Sequence, residues 1–62
     1  MPDTGPERIE MLRGLWVARP PEFRKAEHVE EFRQFVRRLY PNLIDGLDSH
    51  QAFIKILDGL IL

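Results

Sequence analysis

The chain has 62 residues and no cysteine, and its nine Lys or Arg against ten Asp or Glu give a formal net charge of −1. This length allows one domain, and the lack of cysteine excludes disulfide-stapled and cysteine-ligated zinc scaffolds. The sequence has no run of about 18 apolar residues, so we predict no membrane-spanning helix and a cytoplasmic protein. The near-neutral charge argues against a general binder of nucleic acids or membranes, which is usually basic.

The first five residues are polar and rich in proline and glycine, which predicts a disordered leader (1–5) ahead of one helical domain (6–62). We place the start of the first helix at Pro6, because proline suits the first helical position and Glu7 favours the first turn. Its apolar residues recur at helical spacing, namely Ile9, Leu12, Leu15 and Trp16. The helix is expected to end near Ala18, because the residue before Pro20 avoids the α conformation.

A second helix is predicted from about Arg24 or Lys25 to Tyr40, where Pro41 stops it. Its apolar stripe consists of Val29, Phe32, Val36 and Leu39, and Phe35 widens it. We interpret Trp16 and Tyr40 as core residues. Residues 41–46 are too few for a full helix and predict a single turn or a tight connector. The connector would be held to the core by Leu43, Ile44 and Leu47.

The third helix is predicted to begin at Asp48, whose carboxylate can accept from the first-turn amides, with Gln51 completing a capping box. We expect it to run through Leu60 and Ile61, unless Gly59 ends or frays it. Its polar side chains form one narrow stripe of Gln51, Lys55 and Asp58. About two-thirds of this helix would then be apolar, which is more than one face against a small core requires.

Three helices with short connections predict an all-α fold, a small three-helix bundle with room for an extra helical turn at 41–46. The scaling of surface area with mass predicts an accessible surface of about 4,200 Å² for a folded chain of this size.

The surplus apolar surface predicts a protein–protein interaction module that binds a partner chain or a second copy of itself as a homodimer. The residues expected at the interface are Phe53, Ile54, Leu57, Leu60, Ile61 and Leu62. An alternative is that the 41–46 connector or the leader covers Ile54 and Ile61. Another alternative is that the sequence ends at a boundary inside a longer protein, which would leave a cut apolar face exposed.

Three arginines of the second helix, Arg33, Arg37 and Arg38, would form a charged rim beside this interface. The same three arginines support a different hypothesis, a small nucleic-acid-binding regulator. Its arginines would contact phosphates, and its binding would weaken as the salt concentration rises.

No pattern in the chain predicts a catalytic, cofactor or metal site, so we expect neither an enzyme nor a small-molecule substrate. Ser49 and His50 are neighbours on a helix, where their side chains diverge by about 100°, which disfavours a nucleophile–base pair. Glu27, His28 and Glu31 share one helical turn and are interpreted as a solvated charged face.

Overall fold

The computed structural model describes residues 5–62, which contain three α-helices and no strand. Helix α1 covers Gly5–Val17, α2 covers Val29–Leu39 and α3 covers His50–Ile56. Short 3₁₀ turns at Pro21–Phe23, Ala26–His28 and Pro41–Ile44 connect them. The predicted all-α bundle is confirmed, including the helical turn after Pro41. The accessible surface is 4171 Å², as expected for a compact chain of this size.

Helix α1 follows its prediction closely. It ends at Val17, and the amide of Ala18 still donates to the carbonyl of Gly14 at 3.1 Å before Pro20 stops the helix. Residues 1–4 of the predicted leader lie outside the described residues, whereas Gly5 is the first residue of α1. Within residues 5–62, no helix combines the length and the apolar composition that crossing a membrane requires.

Helix α2 begins later than predicted, at Val29 instead of Arg24 or Lys25. The extended backbone of Lys25 (φ −92°, ψ 165°) separates two 3₁₀ turns and keeps residues 21–28 from forming one α-helix. The C-terminal end agrees with the prediction: Tyr40 donates its amide to the carbonyl of Val36 at 2.7 Å, and Pro41 follows.

Helix α3 differs from its prediction at both ends. Its N-cap is Ser49 and not Asp48, because the Ser49 Oγ accepts from the amide of Ala52 at 3.1 Å. The helix ends at Ile56 and not at Ile61. The chain leaves the helix through a 3₁₀-type bond from the amide of Asp58 to the carbonyl of Lys55 at 3.2 Å. In the turn that follows, Gly59 adopts φ +84°, a left-handed conformation that glycine adopts without steric cost.

Long-range hydrogen bonds hold the segment that follows α3. The Arg13 guanidinium donates to the carbonyl of Ile56 at 3.3 Å, and the Trp16 indole N–H donates to the carbonyl of Leu60 at 2.9 Å. The amide of Leu62 donates to the carbonyl of Arg24 at 2.9 Å. The first of these bonds satisfies the Ile56 carbonyl, which a longer helix would have satisfied internally.

One hydrophobic core joins the three helices. The Trp16 and Phe32 rings lie edge to face with centroids 5.1 Å apart, and Phe32 meets Phe53 in the same manner at 5.9 Å. The fully or nearly fully buried residues are Leu12, Trp16, Val29, Phe32, Val36, Ile44, Phe53, Ile56 and Leu57. Trp16 is confirmed as a core residue. Tyr40 is not, because 43% of it is exposed beyond the end of α2.

Candidate functional site

The six residues predicted at the interface do not form one exposed face. Phe53 and Leu57 are fully buried, so neither offers surface to a partner. Leu60 and Ile61 are half-buried against the core. Ile54 and Leu62 remain exposed, at 36% and 62%. The predicted interface requires a helix through Ile61, whereas α3 ends at Ile56 and the following residues turn back onto the core.

An apolar surface with more exposed large side chains lies elsewhere on the molecule, where α1 meets the turn that follows α2. Four of its side chains are between 42% and 55% exposed, and two are half-buried at its floor. We call this surface the apolar strip; it consists of Met11, Leu15, Phe35, Leu39, Tyr40 and Leu43. Large apolar side chains that cluster on a surface mark interaction sites more often than scattered ones do.

The strip contains a groove between α1 and the turn after α2. Met11, Gly14 and Leu15 line one side of this groove, and Tyr40 and Leu43 line the other. Gly14 faces it without a side chain, and a Cβ placed there would have no heavy atom within 4 Å. Folding of the chain therefore does not require a glycine at this position.

The aromatic part of the strip rests directly on the core. The Phe35 ring stacks on the buried Phe32 ring with centroids 6.4 Å apart, and Tyr40 meets Phe35 edge to face at 6.3 Å. Phe32 is held in turn by Trp16. Rigid core rings support the exposed rings. Binding of a partner would therefore cost little side-chain entropy at this surface.

The depressions at the two ends of the strip are lined by charged side chains of different sign, while Arg8 of α1 donates to the carbonyls of Leu43 and Asp45. At the α1 end, Glu7 and Glu10 line a second depression together with Pro6 and Met11. At the α2 end, Arg38 lines a third depression, and the other residues lining it are Glu31, Gln34, Phe35 and Leu39.

The acid at the α2 end is already paired. The Glu31 carboxylate accepts from Arg19 at 2.8 Å. The Arg19 guanidinium also lies over the rings of Trp16 and Phe32, at 5.7 and 5.5 Å from their centroids. Arg19 thus neutralises Glu31 and covers the core, so Arg38 sets the charge at this end of the strip.

A separate ionic cluster joins α2 to the start of α3. Arg33 donates to both oxygens of Glu30, at 2.6 and 3.1 Å, and to the Asp48 carboxylate. Arg37 reaches the other Asp48 oxygen at 3.3 Å, and the His50 ring lies 3.3 Å from Glu30. Hydrogen bonds from Arg33 and then Gln34 lower the pKa of Glu30 to about 2. The bond to Glu30 raises the pKa of Arg33.

This cluster decides where the three predicted arginines lie. Arg33 and Arg37 form salt bridges with acidic side chains of the same chain and hold the start of α3 against α2. Arg38 alone borders the strip. The nucleic-acid hypothesis gains no support from the two paired arginines, because contacts to phosphates require free cations.

The polar residues considered for chemistry are used within the fold. The hydroxyl of Ser49 caps α3, and the His50 ring faces Glu30. Among residues 5–62, no group of three or more His, Asp or Glu side chains is placed to hold a metal ion.

One feature of the sequence indicates the strip, although the helical spacing of core residues does not capture it. From Met11 to Val17, α1 carries a single charge, Arg13, and the apolar residues lie on more than one face. Leu12 and Trp16 point into the core, while Met11 and Val17 are exposed. A helix segment that is apolar on its outer face as well has surface to spare for a partner.

The chain matches no protein-family model, and neither a curated protein nor a solved structure matches it.

Proposed function

We propose that this protein is a small non-enzymatic interaction module of the cytoplasm that binds another protein chain through the apolar strip. The observation that carries the proposal is the continuous run of exposed Met11, Tyr40, Phe35 and Leu39 over a floor of Leu15 and Leu43. Aromatic and Met side chains are enriched at the centres of protein interfaces, and an arginine beside them is also typical.

The strip supports this function better than the C-terminal surface that the sequence suggested. Ile54 and Leu62 are the two large apolar side chains left exposed there, whereas the strip has four. The groove beside Gly14 also gives the strip a concave part that a partner side chain can fill. Anchors that dominate binding energy usually fill such pockets.

The test replaces exposed apolar side chains by neutral polar ones of similar size. The double variant Met11→Gln/Leu39→Gln changes the strip, and Ile54→Gln/Leu62→Gln is the matched control at the other surface. Each chain is immobilised and exposed to an extract of the cells that produce it. We expect the wild type and the control to retain the same protein and the strip variant to retain at least about tenfold less.

The retained protein is a different chain or a further copy of this one, and mass spectrometry identifies it. The proposal is wrong if the strip variant retains the same proteins as the wild type in the same amounts. Circular dichroism of all three chains ensures that a lost interaction does not reflect a lost fold.

A further inference from the structure

We infer that the partner of the apolar strip is a second copy of this chain, bound about a two-fold axis; this inference rests on the proposed function. The first support is the charge along the strip. Glu7 and Glu10 lie at one end beside Met11, and Arg38 lies at the other beside Leu39.

A two-fold axis through the middle of the strip places each end of one copy on the opposite end of the other. In such an interface, a residue that contacts a second residue has the reverse contact in the partner copy. The acidic end then meets Arg38 twice, and the apolar residues between the ends meet each other. A strip of uniform charge would repel its own copy, whereas opposite charges at the two ends of this strip attract the ends of a second copy.

The second support is Gly14. It lies in the middle of α1 and lines the groove, where the absence of a side chain lets another backbone or side chain approach closely. Glycine weakens a helix interior, and nothing inside the molecule within 4 Å of its Cβ position requires it. Close approach of the second copy is the contact that gives this glycine a role.

The first experiment measures molar mass by sedimentation equilibrium from about 10 μM to about 1 mM, the range expected for a small interface. We expect the wild type to change from monomer to dimer over this range. Met11→Gln/Leu39→Gln is expected to stay monomeric, and Ile54→Gln/Leu62→Gln to dimerise as the wild type does. A dimer that the strip variant still forms overturns the inference.

Charge reversal tests the two-fold arrangement itself. Glu10→Arg and Arg38→Glu each create like-charge contacts that occur twice in the dimer, so each should raise the dimer dissociation constant about tenfold. The variant carrying both changes restores the opposite charges and should return to within about threefold of the wild type. If the variant carrying both changes instead dimerises more weakly than either single variant, the effects add and this pairing is wrong.

Gly14→Gln tests the close approach. Glutamine favours a helix more than glycine does, so the monomer should keep its fold while the dimer weakens at least tenfold, roughly the loss of one well-packed contact. Val17→Gln is the control, because Val17 is exposed on the same helix and does not line the groove. Equal effects of the two variants overturn the role of Gly14.

The failure of this inference differs from the failure of the proposed function. A folded wild-type monomer at about 1 mM excludes the second copy as the partner. The proposed function then still stands if the strip variant loses a different protein from the extract, and it falls if no protein is lost.

Discussion

At the scale of single residues, charged side chains of this protein act mainly as connectors. Arg33 joins Glu30 of its own helix to Asp48 before α3, and Arg19 joins Glu31 to the rings of the core. Arg13 and Trp16 use their N–H groups on carbonyls more than 40 residues away. Exposed ion pairs contribute little one by one, but here several share partners and fix how the elements lie against each other.

Glu30 makes the stability of the fold depend on pH. Its pKa is about 2 in the folded chain, against an ordinary value of 4.5, because Arg33 and Gln34 donate to the carboxylate. A lowered folded pKa means that the contribution is complete above pH 4.5 and is lost as the pH falls toward 2. Urea unfolding near pH 6 and near pH 2.5 should therefore show a smaller difference between the wild type and Glu30→Gln at the lower pH.

Glu22→Gln is the control for this measurement, since it removes an exposed acid outside the cluster. The account fails if the difference between the wild type and Glu30→Gln is the same at both pH values.

At the scale of elements, the glycines of α1 and of the turn after α3 have opposite roles. Gly14 lies in a helix interior, where alanine should raise the free energy of unfolding by about 1 kcal/mol. Gly59 has φ +84°, where a Cβ strains the backbone, so alanine should lower it by about 1–2 kcal/mol. Neither site is crowded by other atoms, so the sign depends on backbone conformation.

Urea unfolding followed by fluorescence of Trp16, the single tryptophan, measures both effects. The chains are compared at low micromolar concentration, where association does not contribute. Changes of the same sign in the two variants would contradict this assignment.

The elements that the sequence predicted well are those with local signals. Pro6 at the start of α1 and Pro41 after α2 restrict the backbone by their own rings, so both boundaries follow from neighbouring residues. The end of α3 is different. The turn that follows it contains the left-handed Gly59 and is held by donors from α1, and no local pattern reveals that Arg13 and Trp16 reach this segment.

The exposure of residues at the candidate site likewise depends on distant parts of the chain. Periodicity identifies which residues can share a face, and it cannot tell which face the rest of the chain will cover. Periodicity therefore places Phe53 and Leu57 on an exposed surface, whereas both lie in the core. It places Tyr40 in the core, whereas Tyr40 lies in the strip. The apolar second half of α1 was the available signal, and its outer face became visible only once α2 and α3 were placed.

At the scale of the whole molecule, a few large side chains hold the three helices together. Phe32 of α2 is contacted by Trp16 from α1 and by Phe53 from α3. A chain of this size gains only a few kcal/mol of net stability from one core, about 3–5 kcal/mol in typical cases. The loss of one such side chain should therefore remove most of it.

Phe53 and Ile54 provide a matched pair of neighbours for this prediction. Phe53→Ala should cost about 3–5 kcal/mol and leave the chain largely unfolded, because it opens a cavity in the core. Ile54→Ala should cost about 1 kcal/mol or less, because Ile54 is partly in solvent already. Thermal unfolding followed by circular dichroism distinguishes them, and equal losses would be inconsistent with this core.

The short length of α3 has a consequence for how the chain opens. Seven residues are too few to remain helical alone, since isolated helices shorter than about 12–15 residues are marginal in water. Its last carbonyl, that of Ile56, accepts from Arg13 of α1, and in the segment after it the Leu60 carbonyl accepts from Trp16 and the amide of Leu62 donates to the carbonyl of Arg24. Fraying from the C-terminal end must therefore break contacts to α1 as well. The slowest amide hydrogens of α3 should exchange with solvent at the same free energy as those of α1, so that the bundle behaves as one cooperative unit.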